Sequence, residues 1–208
     1  MLSKTSKMPC KSWSLEAVTH CPASKAKGGG LVPACQGCYA AGGFYKMPAA
    51  VNLRNHNAAD WKRAGWVADM VDAIGSAPYF RWFDSGDMYT IKLARKIEQV
   101  IARTPDTRHW LPTRMHKFPK FGLVLAAIES LPNATVRYSS DSVNGETIAG
   151  ECTSTIIPSG DAPTTATICR AYDRGGKCGE CRACWDRSVQ VIAYVAHGRS
   201  MARVIAAG

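Results

Sequence analysis

Three cysteines at two-residue gaps, Cys178, Cys181 and Cys184 in the run KCGECRACW, pose the first chemical question of this sequence. Cys169 precedes them to give C-x8-C-x2-C-x2-C, and Cys21, Cys35 and Cys38 form a separate C-x13-C-x2-C group in the N-terminal third. Structural zinc is usually gripped by two well-separated C-x2-C knuckles, whereas successive thiolates at this pitch wrap the corners of a cubane. The C-terminal four therefore read as a 4Fe-4S site, with zinc as the alternative. Lys177, Gly179, Glu180 and Arg182 surround them and offer no apolar pocket in which inert thiols could be buried. The first group has three thiols and no obvious fourth, which leaves one metal position open to a substrate or cofactor. His20 and Cys10 are the nearest candidates for the missing ligand.

Carboxylates and bases supply the second kind of chemistry. The stretch DSGD, Asp84 to Asp87, follows an aromatic, strand-like run, where Asp87 or Thr90 could cap the next helix and Gly86 could turn the chain. A parallel sheet collects its ligands at the carboxyl ends of its strands, so Asp84, Asp87, Thr113, Arg114, Ser139, Ser140 and Asp141 are expected on one rim. Arg114, His116, Lys117 and Lys120 add positive charge there. Arg114 and Lys117 suit a carboxylate or phosphate, and Trp110 or Phe118 could stack on a base. The chain contains no phosphate-binding Gly-rich motif ending in Lys-Ser/Thr, no G-x-S-x-G and no H-E-x-x-H, so nucleotide hydrolysis, serine hydrolase and zincin chemistry lack support.

These groups need a frame, and the middle of the chain supplies its rhythm. YFRWFD (79–84), RHWLPTR (108–114) and ATVRYSS (134–140) read as strands, and residues 90–103 and 121–131 as the helices between them. Ile91, Ala94, Ile97, Val100 and Ile101 fall on one face of the first helix. Strand starts about 30 residues apart fit parallel strands joined by right-handed crossovers, hence a doubly wound sheet or a complete or partial βα barrel. Upstream, 58–74 reads as one helix with Trp61, Ala64, Val67, Ala68 and Val71 as its apolar stripe, and 12–20 as a first strand. Residues 153–160 and 189–198 read as strands flanking the cysteine-rich segment, and the tail from Ser200 as either strand or helix.

The chain's 208 residues suffice for one substantial core. No apolar stretch is long enough to span a membrane and the N-terminus lacks an apolar signal region, which places the chain in a reducing cytoplasm. Nine cysteines there point to metal binding or catalysis rather than disulfides. A balance of 26 Lys and Arg against 16 Asp and Glu gives +10, which favours an anionic partner such as nucleic acid or a nucleotide, although the bases are scattered.

The two cysteine groups together with MPCKSWSL, CQGCYAAGGFY, RWFDSGDMY and GKCGECRACWD, in that order, resemble the phage-encoded gene product 88 family over most of the chain. That resemblance implies a phage protein in the host cell cytoplasm. A more distant similarity is to radical S-adenosylmethionine (radical SAM) enzymes. It implies a partial βα barrel over 1–150, in which Cys21, Cys35 and Cys38 bind a 4Fe-4S cluster with one iron open to S-adenosylmethionine. Asp84, Ser85, Gly86 and Asp87 would stand where that family contacts the cofactor's amino group, with Tyr39 and Arg114 beside them. Residues 151–208 would form a cysteine-rich segment, packed on the barrel, that carries an auxiliary cluster on Cys169, Cys178, Cys181 and Cys184. This sequence departs from the radical SAM pattern in its first gap, thirteen residues instead of three, and in Gly37 rather than an aromatic residue before Cys38. The expected activity is reductive cleavage of S-adenosylmethionine to modify a nucleotide or other anionic substrate. The alternatives are a non-enzymatic iron–sulfur or zinc protein that binds nucleic acid or a host protein, and an electron-transfer protein.

Overall fold

The computed structural model describes residues 1–160 and 165–207. Within them the order is β1 (Ser3–Lys4), β2 (Lys11–Trp13), α1 (Pro33–Gln36), α2 (Pro48–Asp60), α3 (Trp66–Ile74), β3 (Tyr79–Trp82) and α4 (Ile91–Ala102). There follow β4 (Arg108–Thr113), α5 (Gly122–Ser130), β5 (Ala134–Ser139), β6 (Thr153–Ile157), β7 (Thr167–Cys169), β8 (Val191–Val195) and α6 (Arg199–Ala207). The fold is mixed α/β, with all eight strands in one sheet in the order β1-β2-β3-β4-β5-β6-β8-β7. Only β1–β2 is antiparallel. From β2 to β6 each strand lies beside its predecessor, so the chain winds across the sheet in one direction. None of the six described helices is long and apolar enough to cross a membrane.

Strand alternation divides the sheet into two unlike faces. Phe80, Trp82, Leu111, Val136 and Tyr138 point to one side and join Leu93, Ala94, Ile97, Val100, Leu125 and Ile128 of α4 and α5 in the main apolar core. The register pairs Arg81 with Trp110 and Pro112 with Arg137, which places these four on the other face. There Trp110 packs with Trp185, Met8 and Cys10 in a smaller cluster that Cys178, Cys184 and Tyr194 adjoin.

Two elements differ from their sequence expectation. The helix expected over 58–74 is broken, because α2 ends at Asp60 and α3 begins at Trp66. The Lys96 ammonium donates to the carbonyls of Trp61 (2.9 Å) and Arg63 (2.5 Å) released at the break. The buried face of α3 is accordingly Trp66, Val67, Met70 and Ile74. The strand expected over 12–20 is confined to β2, beyond which Leu15 N–H still donates to the Ser85 carbonyl at 3.0 Å. The tail resolves as helix α6, whose Met201 packs with Ala34 and Val143.

Candidate functional site

A cavity of about 390 Å³ opens beyond the carboxyl ends of the central strands. Its walls bring together Cys21, Cys35, Cys38, Tyr39, the whole Asp84–Asp87 loop, Thr113 and Arg114. Each comes from a short local structure. Cys35 and Cys38 share one turn, closed by Cys38 N–H to the Cys35 carbonyl at 3.2 Å, while Cys21 precedes the 3-10 turn Pro22–Ser24. Gly37 between them is required by packing: a Cβ there would stand 2.7 Å from Met201 Cα, so the C-X-X-C turn and α6 touch backbone to backbone.

The Asp84–Asp87 loop is held by many bonds. Ser85 Oγ donates to the Leu15 carbonyl at 2.6 Å and accepts from Arg54 Nε at 2.8 Å. Gly86 adopts φ +78°, and a side chain there would meet Leu15 Cβ at 2.6 Å, so the position needs glycine twice over. Asp87 is saturated: Oδ1 accepts from Met88 N–H and Thr113 Oγ1, each at 2.8 Å, and Oδ2 from Arg114 N–H at 2.9 Å. Burial raises its pKa against those three donors. It ties the end of β3 to the end of β4, while the helix cap expected of Asp87 or Thr90 falls to Thr90, whose Oγ1 accepts from Leu93 N–H at 3.2 Å. Asp84 differs. Tyr45 Oη donates to its Oδ2 at 3.1 Å and Tyr39 Oη to its carbonyl at 2.8 Å, but Oδ1 is buried without a partner, on a residue only 6% exposed.

The cavity also holds both non-glycine residues with positive φ found among the described residues, Val18 (φ 66°) and Phe83 (φ 54°). For a β-branched and an aromatic side chain this is strained backbone, which persists only where surrounding structure over-determines it. Arg114 and Lys117 are engaged by the protein itself. Both reach Asp141, at 3.3 and 2.5 Å, Arg114 also donates to the Ser140 carbonyl at 2.8 Å and Lys117 to the Ala23 carbonyl at 3.1 Å. Trp110 lines the cavity, whereas Phe118 packs against the main core.

Neighbouring charges bear on two of the N-terminal thiols. Burial pushes Cys21 up to about 12, with the Asp87 carboxylate and then Cys35 and Cys38 adding to it. Burial also raises Cys35, opposed by the Arg114 guanidinium and reinforced by Cys38. Among the described residues, however, no three His, Cys, Asp or Glu side chains converge closely enough to grip a single metal ion. Neither proposed fourth ligand joins this group. His20 lies with its ring 4.9 Å from that of Tyr89, and Cys10 sits beside Cys178, where burial pushes it up to about 11.

The family model of Gene product 88 matches residues 2–187. The chain belongs to that family. No curated protein and no solved structure matches it. The Gene product 88 match spans both cysteine groups and ends just after the second, before β8 and α6.

The second group lies under the sheet face away from the helices. Cys169 ends β7 opposite Tyr194 of β8, and the Tyr194 hydroxyl is 3.5 Å from Cys184 Sγ. Cys178 N–H donates to the Lys7 carbonyl at 2.8 Å, and burial raises both Cys178 and Cys184, with Cys169 adding to each. Cys181 is exposed. One residue that sequence reading passed over organises this segment: fully buried Arg137 donates to the carbonyls of Ala183, Cys184, Asp186 and Val189 at 2.7–3.1 Å. Trp185 fixes it further through Nε1–H to the Phe80 carbonyl at 2.9 Å. The sequence signal for Arg137, and equally for Arg81, is a charge inside a strand that should be covered on both faces.

Proposed function

We propose that this chain is an iron–sulfur protein with a radical-SAM-like partial βα barrel. Cys21, Cys35 and Cys38 would hold a 4Fe-4S cluster with one open iron, and S-adenosylmethionine would lie in the cavity beside it. The observation that carries this reading is the Asp84 carboxylate, whose Oδ1 is buried without a donor on the same cavity as the three thiols. A buried acceptor left unmade costs about 1–3 kcal/mol, and a ligand amino group removes that cost. The strand order runs one way from β2 to β6, with a reversal only at the β8–β7 edge, which suits a barrel better than a doubly wound sheet that reverses at its centre.

Held by Cys21, Cys35 and Cys38, such a cluster would supply the one-electron reduction that cleaves S-adenosylmethionine. The chain's own residues position the ligand. Tyr39 and Tyr45 hold Asp84 so that Oδ1 remains available, Asp87 fixes the loop rather than binding, and the Ser85–Leu15 bond keeps the loop against the N-terminal segment. The C-terminal four thiols would carry an auxiliary cluster. The test is anaerobic reconstitution followed by iron and acid-labile sulfide analysis, then incubation with S-adenosylmethionine and dithionite. Iron, sulfide and 5′-deoxyadenosine are expected, with D84A keeping the metal and losing the product. A wild-type protein loaded with iron and sulfide that forms no 5′-deoxyadenosine overturns the proposal.

A further inference from the structure

We propose that Arg81 recognises an oxyanion, a carboxylate or phosphate, on the molecule that enters this cavity. The inference rests on reading the cavity as a ligand site and not on the metal it would hold. Arg81 lines that cavity on β3, with its guanidinium 4.3 Å from the centre of the Trp110 ring. Its polar contacts are few and long: Nη1 to the Met8 thioether at 3.4 Å, Nη2 to the Tyr39 hydroxyl at 3.5 Å and to the Phe83 carbonyl at 3.4 Å. Nε has neither solvent nor a partner. Among the described residues the guanidinium forms no ion pair with Asp or Glu.

The two buried arginines are treated differently. Arg137 has four carbonyls within 3.1 Å, and Arg54 donates to Ser85 Oγ and to the carbonyls of Tyr45 and Ala50 at 2.8–3.1 Å. Arg54 also lies over an aromatic ring, its guanidinium 4.5 Å from the Tyr45 centre, but its donors are met, whereas Arg81 is stacked with its donors poorly met. A planar fork held flat in this way presents paired N–H groups that match the two oxygens of a carboxylate or phosphate. Lys7 brings a second cation to the same cavity, with Nζ 5.9 Å from the Tyr172 ring centre and 5.8 Å from that of Tyr194, and likewise forms no ion pair among the described residues. The ligand is thereby defined at two ends. Asp84 accepts from a donor group near the first three thiols, and Arg81 with Lys7 takes the oxyanion on the side of the second cysteine group.

The rival role for Arg81 and Lys7 is to offset the charge of thiolates at Cys178 and Cys184, and the experiment separates the two. Isothermal titration calorimetry is run on the full chain as purified with reduced thiols, using succinate as the carboxylate probe and AMP as the phosphate probe. At least one probe is expected to bind, at least tenfold more weakly to R81M, with R81K intermediate because it keeps the charge and loses the fork. If R81M does not fold, R81K and K7M carry the comparison, and equal binding to wild type by both overturns the proposal. Failure of both probes to bind wild type overturns it as well, as does loss of iron from R81M without any probe binding. Probe binding by a protein that never cleaves S-adenosylmethionine sinks the proposed activity and leaves the oxyanion site standing.

Discussion

Replacing Arg137 by methionine tests whether the second cysteine group is shaped by the sheet beneath it. Methionine keeps the length and apolar bulk of the side chain and removes its donors. Four carbonyls, from Ala183 to Val189, then lose bonds of 2.7–3.1 Å. Hydrogen bonds to a charged group contribute roughly 1.5–3 kcal/mol each, so simple addition gives about 6–12 kcal/mol. That sum overstates the loss. Arg137 has its own desolvation cost as a fully buried charge with no carboxylate partner among the described residues, and a turn freed from it can rotate some carbonyls to water. A net loss of about 3–5 kcal/mol is expected in urea denaturation, a large share of a typical domain stability of roughly 5–15 kcal/mol. R137K, with one ammonium in place of the fork, should fall between. Native-state reaction with a thiol reagent should meanwhile accelerate at Cys184, because the turn that carries it keeps only the Trp185 contacts to Phe80 and Thr135. An R137M protein within 1 kcal/mol of wild type and with unchanged thiol reaction rates would refute the idea that this side chain holds the segment in place.

His109 is buried and neutral: Trp82 Nε1–H donates to its Nδ1 at 3.3 Å, so its proton sits on Nε2 and faces Thr104 Oγ1 at 2.8 Å. Burial lowers its pKa to about 4 from an unfolded value of 6.5, so its contribution is complete above pH 6.5 and is lost as pH falls to 4, a total of about 3 kcal/mol. H109Q should show a correspondingly shallower fall in urea midpoint between pH 7 and pH 4, and an unchanged slope would reject this account. G37A should displace α6 from the C-X-X-C turn at a cost of about 1–3 kcal/mol and speed tryptic cleavage at Arg199 and Arg203, since the added Cβ meets Met201 backbone at 2.7–2.9 Å. G42A, with nothing within 4 Å, is the control and should behave as wild type.

Periodicity made the helical side of the sheet legible because that side is an ordinary apolar core. Ala94, Ile97, Val100 and Ile101 all fall on the expected stripe and are all fully buried in α4. The break between α2 and α3 was not legible, since the group that satisfies its carbonyls, Lys96, lies 33–35 residues away. The gathering of strand-end polar groups follows from parallel topology, so the sequence alone places Asp84, Asp87, Thr113, Arg114, Ser139 and Ser140 on one rim, and all six line the cavity. It does not show which of them are free. Asp87 and Asp84 are the same residue type three positions apart, yet one is saturated by β4 and the other keeps an open oxygen. Such differences arise from partners distant in sequence, as with Arg137, whose acceptors are 46–52 residues on.

The two faces of the sheet also explain where chemistry can reside. Parallel sheets are normally covered by apolar groups on both sides, and here only the α4–α5 side obeys. The opposite face carries Arg81, Trp110, Arg137, Ser139, Ser154 and Tyr194, a set that must be met by polar partners to be tolerated. Toward one end the chain supplies those partners itself, through the 183–189 turn and its carbonyls. Toward the other the supply stops: Arg81 Nε and Asp84 Oδ1 have no partner, and the space beside them is a cavity walled by three thiols and by strained backbone at Val18 and Phe83. A fold that satisfies the buried Arg137 guanidinium with four carbonyls has the means to satisfy the half-buried Arg81. That it leaves Arg81 and Asp84 open on the same cavity is most simply explained by a ligand that completes them both.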